Sequence, residues 1–82
     1  MRYDIHMSKI CSKNFGPVFK KLRESRGFSQ ERVSERVGVS PAFICMVESS
    51  VKFPNLEMLF RLSAAIEVRP SALVAEMENR LK

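Results

Sequence analysis

Residues 29–48 read Ser29-Gln30-Glu31-Arg32-Val33-Ser34-Glu35-Arg36-Val37-Gly38-Val39-Ser40-Pro41-Ala42-Phe43-Ile44-Cys45-Met46-Val47-Glu48, and this stretch decides the fold. Ser40-Pro41 is its sharpest local signal. A serine hydroxyl accepts from the free N–H groups of a first turn, and proline at the first helical position has no N–H to leave unpaired. A helix is therefore predicted from Pro41 to about Ser49, with Ile44 and Val47 facing inward and Phe43 at the edge of the core. Upstream, Ser29 caps a second short helix, Gln30 to Val37. Glu31 suits its positive end, and Val33 and Val37 share one face. Gly38 ends that helix, so only Gly38, Val39 and Ser40 separate the two.

Working outward, Phe15, Phe19 and Leu22 recur at helical spacing between Asn14 and Gly27. Asn14 is the expected N-cap, Pro17 falls in the expected first turn, and Gly27 is the stop. Val51 to Pro54 reads as a loop. Asn55 then caps an apolar helix whose expected buried residues are Leu56, Leu59, Phe60, Leu62 and Ile66. Pro70 opens a last helix running from Ser71 towards Leu81. No strand pattern occurs, so the expected class is all-α, five helices around one core. Residues 1–13 lack periodicity and read as a flexible arm, and 14–82 as one domain.

The chain has 82 residues, 45% of them apolar, which suits a single small domain. No apolar run reaches membrane-spanning length, and Met1 to Asn14 lacks a signal-peptide core. A cytoplasmic protein is expected. The net charge of +5 favours a polyanionic partner. Lys20, Lys21, Arg23, Arg26, Arg32, Arg36 and Lys52 concentrate it in the first two thirds. Cys11, Cys45 and His6 form neither a metal spacing nor a nucleophile–base set, and Glu24, Glu31 and Glu35 read as solvated ion-pair partners. No cofactor, metal or enzymatic activity is expected.

Two short helices joined by a three-residue turn form a helix-turn-helix arrangement, which sets the second helix at a steep angle with its outer face available to a DNA major groove. From spacing alone, a generic helical corner remains an equal reading. The stretch Lys20-Lys21-Leu22-Arg23-Glu24-Ser25-Arg26-Gly27, Ser29-Gln30-Glu31, Gly38-Val39-Ser40, Ala42 to Glu48, then Pro54, Leu59, Leu62, Ala65-Ile66 and Val68 resembles the lambda-repressor/Cro (XRE) family. The resemblance covers Phe15 to Leu73 and implies a five-helix, lambda-repressor-like DNA-binding domain. By the same resemblance the core includes Leu22, Val33, Val37, Ile44, Val47, Leu59, Leu62 and Leu73.

That resemblance implies the following roles. Ser40, Pro41, Ala42, Phe43, Cys45 and Met46 would face bases. Ser29, Gln30 and Lys52 would hold phosphates, the first two beside a helix N-terminus that favours anions. Arg23 and Glu48 would form a structural ion pair. Leu73 resembles the family's core residue, which leaves Val74, Met77 and Leu81 as excess apolar surface. These are expected to pair two copies on a palindromic operator, the alternative being that they cap the core of one copy. Double-stranded DNA is the expected partner, with no small-molecule effector. None of the base-facing residues is Arg, Lys, Asn or Gln, so contact with thymine methyls is expected. Arg36 is a candidate for a guanine contact. The competing expectation is a protein-interaction module, antitoxin-like or an anti-repressor partner, using Phe43, Met46 and Met58. Two departures stand out: Ser49-Ser50 and Glu67 occupy places where the family usually has glycine, each costing about 1 kcal/mol if the backbone there is left-handed.

Overall fold

Helix caps written into the sequence set most of the architecture. The computed structural model describes the backbone of residues 7–80 and the side chains of residues 13–80. Its helices are α1 Met7–Ser25, α2 Gln30–Val37, α3 Pro41–Glu48, α4 Leu56–Ala65 and α5 Pro70–Asn79, and no strand occurs among the described residues. Ser29 accepts from the Arg32 N–H at 3.0 Å, Ser40 from Phe43 at 3.1 Å and Asn55 from Met58 at 2.7 Å. These are the three caps expected for α2, α3 and α4. α5 starts at Pro70, and its N-cap Arg69 makes no side-chain capping bond.

α1 corrects the expectation at Asn14. The helix begins at Met7 and runs through Asn14, whose amide instead donates to the Met77 carbonyl of α5 at 3.4 Å. Pro17 therefore lies inside the helix and leaves the Lys13 carbonyl without its helical donor. The Ser50 hydroxyl, arriving from beyond α3, donates to that carbonyl at 3.1 Å. Gly16 next to it is buried because α3 ends against it. A Cβ on Gly16 would stand 2.6 Å from the carbonyl oxygens of both Val47 and Glu48. Gly16 and Pro17, inside the helix, together form a docking notch for the end of α3.

α1 packs on α3 and α5, α2 on α3 and α4, and α4 on α5. The core they enclose contains Phe19, Val33, Ile44, Val47, Leu62, Ile66 and Leu73, each fully buried. Phe15 and Phe19 stack with ring centroids 5.7 Å apart. Leu22, Val37, Leu59 and Phe43 lie half-buried against this core. The expectation for α4 fails at two positions. Leu56 is 73% exposed and Phe60 55% exposed. They sit four residues apart on the outer face, while Leu62, Ala65 and Ile66 take the inner one.

The ends of α1, α3 and α4 share one C-terminal geometry. The N–H groups of Gly27, Ser50 and Glu67 bond to the carbonyls of Glu24, Val47 and Ala64. Those of Phe28, Val51 and Val68 bond to Arg23, Met46 and Ser63. This paired closure needs a left-handed residue, and φ is +79° at Gly27, +65° at Ser50 and +60° at Glu67. The loop after α3 thus follows the path that a glycine would allow, with a serine in the strained position.

Candidate nucleic-acid interface

The outer face of α3 carries the residues expected to meet bases. Ser40, Pro41, Ala42 and Cys45 are exposed, and Phe43 and Met46 are half-buried on the same short helix. Pro41, Cys45 and Ser49 follow one another at intervals of four and form a single stripe. Ser40 spends an oxygen lone pair on its cap and keeps its hydroxyl hydrogen, so it remains a donor. Ser29 is in the same condition at the head of α2.

Behind this stripe lies a buried ion pair. The Arg23 Nε and Nη2 donate to the two carboxylate oxygens of Glu48 at 2.6 and 3.0 Å. The third edge of the guanidinium, Nη1, donates to the Phe28 carbonyl at 2.6 Å. The two side chains are only 8% and 3% exposed. The Glu48 carboxylate raises the Arg23 pKa above its ordinary value by this hydrogen bond, so the guanidinium stays charged at every accessible pH. Planar, two-pronged pairing is the geometry in which arginine binds carboxylate best.

Gln30 joins the same carboxylate. Its Nε2 donates to Glu48 Oε1 at 2.9 Å, so α1, α2 and α3 meet at one buried charge pair. A primary amide carries two hydrogens, and Glu48 takes one of them. Gln30, Glu48, Cys45, Ser49 and Lys20 of α1 together line a shallow recess beside the outer face of α3. Lys52 is exposed in the loop after α3 and makes no ion pair among the described residues.

Other expected residues fall elsewhere. Met77 is 9% exposed and belongs to the core, so it is not the free apolar surface it was expected to be. The reason is the packing of α1 on α5, which brings Asn14 to within 3.4 Å of the Met77 carbonyl. Val74 is 47% exposed, and Leu81 lies outside the described residues. Arg36 lies over the Phe28 ring, 5.2 Å from its centroid, and 3.5 Å from a Glu67 carboxylate oxygen. Cys45 is a free, exposed thiol. Phe28, Gly16 and the Ser50–Lys13 bond had no place in the sequence reading. A glycine-proline pair inside an apolar periodic stretch was the one available signal.

The Helix-turn-helix family model matches residues 19–73, two thirds of the chain. The chain belongs to the Cro/C1-type helix-turn-helix family of DNA-binding transcriptional regulators. Its sequence is similar to the HTH-type transcriptional regulator SutR of Escherichia coli (strain K12), 27% identical over 62 residues that make up 76% of this chain. The match spans about a third of that relative, 35% of its length. The structure is similar to the restriction-modification controller protein C.AhdI from Aeromonas hydrophila, at 26% identity and a TM-score of 0.70, covering 74% of this chain and 92% of that one. The clp gene regulator ClgR from C. glutamicum shares the fold at 18% identity and a TM-score of 0.83, covering 88% and 94%. An XRE-family like protein from Pseudomonas syringae shares it at 17% identity and a TM-score of 0.73, covering 96% and 100%. The all-α, five-helix reading of this helix-turn-helix regulator therefore stands. No helix among its described residues is long and apolar enough to cross a membrane.

Proposed function

We propose that this chain is a sequence-specific regulator of transcription, placing α3 in the major groove of double-stranded DNA and binding a palindromic operator as a dimer in the cytoplasm. The observation that carries the reading is the convergence on one surface of α3's exposed stripe, the capped head of α2 with Gln30, and Lys20 of α1. Helix heads with unpaired N–H groups and nearby cations suit phosphates, and the stripe beside them suits the groove. Ser29, Gln30 and Lys52 are the proposed phosphate contacts, joined by Lys20.

The exposed face of α3 presents the Ser40 and Ser49 hydroxyls, the Pro41 ring, the Ala42 methyl and the Cys45 thiol. These side chains favour thymine methyls over the bidentate contacts that single out guanine or adenine. Direct base discrimination is then modest, and phosphates supply a large share of affinity. Arg36, engaged with Phe28 and Glu67, is not assigned a base. A second copy supplies the affinity that one small module lacks, and among the described residues of the expected pairing face Val74 is open to it.

Selection from a random duplex pool, followed by binding at two salt concentrations, tests the reading. Selected half-sites should contain thymine opposite α3, and replacing it by uracil should weaken binding. An invariant guanine opposite α3 would overturn the base-reading assignment. Absence of binding at low salt would overturn the DNA reading itself.

One observation favours a second reading, a protein-interaction module. Val51, Phe53, Leu56 and Phe60 are each more than half exposed within a ten-residue span. Apolar surface concentrated in this way is a common mark of a protein contact. Recovery of salt-insensitive protein binding with no retardation of DNA would favour it.

A further inference from the structure

Glu48 is half of a structural pair, and through Gln30 it also reaches the proposed DNA-facing surface. Its carboxylate is almost wholly buried, and one oxygen is shared between Arg23 Nη2 at 3.0 Å and Gln30 Nε2 at 2.9 Å. Gln30 stands at the first position of α2, half-exposed, with its second amide hydrogen uncommitted among the described residues. A glutamine has three side-chain torsions, and ordering them at the moment of binding lowers affinity. Glu48 does that ordering in advance. It is also an anion close to the surface where a phosphate would sit, so its own charge would repel the ligand. Arg23 removes that repulsion with its two bonds to the carboxylate, and its bond to the Phe28 carbonyl holds it in place.

We propose that Glu48 is a positioning residue for DNA, holding the Gln30 amide against the end of α3 so that its remaining N–H points at a backbone phosphate, while Arg23 keeps the carboxylate neutral towards that phosphate. The proposal rests on the DNA reading above and adds a functional role to a pair that otherwise reads as scaffold. It makes Gln30 and Glu48 one unit in binding. Loss of Glu48's hold and loss of Gln30 itself then have the same consequence and do not compound.

The test is a double-mutant cycle read by fluorescence anisotropy on a labelled 24-base-pair duplex of random sequence, with the full chain. Gln30→Ala should weaken binding roughly tenfold and Glu48→Gln roughly fivefold, as expected for a lost or disordered phosphate contact. The double variant should bind no more weakly than Gln30→Ala alone. Glu48→Asp, which keeps the charge for Arg23 but withdraws the carboxylate from Gln30, should follow the same pattern if Glu48→Gln folds poorly. In the free protein, the two Gln30 side-chain amide protons should be well dispersed by NMR and should collapse towards free-glutamine positions in Glu48→Asp. A merely structural Glu48 would lower the melting temperature and leave the affinity of the folded protein at the parental value. That result, or effects that multiply in the double variant, overturns the proposal. Parental affinity for Gln30→Ala would remove Gln30 as a phosphate contact and the proposal with it. A parent that fails to bind the duplex would instead overturn the DNA reading.

Discussion

At the scale of single residues, two side chains occupy backbone positions that suit glycine. Ser50 has φ +65° and Glu67 +60°. Each recovers something for the strain: Ser50 donates to the Lys13 carbonyl, and Glu67 lies 3.5 Å from Arg26 and from Arg36. The Glu67 pairs are long and about half exposed, so each contributes well under 1 kcal/mol. Comparing glycine with alanine separates the two effects, because both remove the side-chain contact and only alanine keeps a Cβ. Glu67→Gly should be more stable than Glu67→Ala by about 1 kcal/mol, reversing the usual helix ranking, and Ser50 should behave alike. Urea unfolding measures this, and equal midpoints for Gly and Ala at both sites would remove the strain argument. Glu48→Ala belongs to the same scale. It leaves the buried Arg23 guanidinium with the Phe28 carbonyl and a long, 3.9 Å contact to the exposed Glu24 carboxylate, so a loss of roughly 2–4 kcal/mol is expected in the same experiment. Melting like the parent would mark the pair as a surface contact.

At the scale of elements, α1 is the informative one. It continues through Gly16 and Pro17, two residues that ordinarily weaken a helix interior. The packing of α3 explains why it survives. Gly16 admits the Val47 and Glu48 carbonyls, and Ser50 satisfies the carbonyl that Pro17 strands. In an isolated helix Gly16→Ala would gain about 1 kcal/mol. Here the added methyl collides with backbone at 2.6 Å, and α1 and α3 must move apart. A net destabilisation of roughly 1–3 kcal/mol is expected from overpacking. Thermal melting of Gly16→Ala checks the sign, and any stabilisation would show that the α1–α3 contact is looser than the structure has it.

At the scale of the whole molecule, the proposed DNA binding makes testable demands on charge and on pairing. Lys20 lines the proposed face, and Lys52 is exposed in the loop that follows α3. Lys20→Ala or Lys52→Ala should weaken binding to all sequences alike. Each should also reduce the slope of log affinity against log salt by about 0.9, the release expected per phosphate neutralised. Sedimentation with duplex at micromolar concentration should give two chains per operator, and one chain per duplex would end the dimer proposal.

Local chemistry in the sequence determined much of this protein. Ser29, Ser40-Pro41 and Asn55 mark helix starts through side-chain bonds made within a few residues. Gly27 and Gly38 mark ends for the same reason, and the spacing between them defines the α2–turn–α3 unit. The Arg23–Glu48 pair was reached only through resemblance, since 25 residues separate its members. Tertiary structure decided what depends on neighbours distant in sequence. Asn14 reads as a cap until Met77 arrives beside it, and Met77 reads as free surface until α1 covers it. Leu56 and Phe60 read as core until α4 turns its other face inward. Gln30 reads only as a candidate phosphate contact until Glu48 reaches it from 18 residues away. A cap is settled by the backbone that carries it, whereas burial and long-range hydrogen bonds are settled only when helices far apart in sequence are packed together.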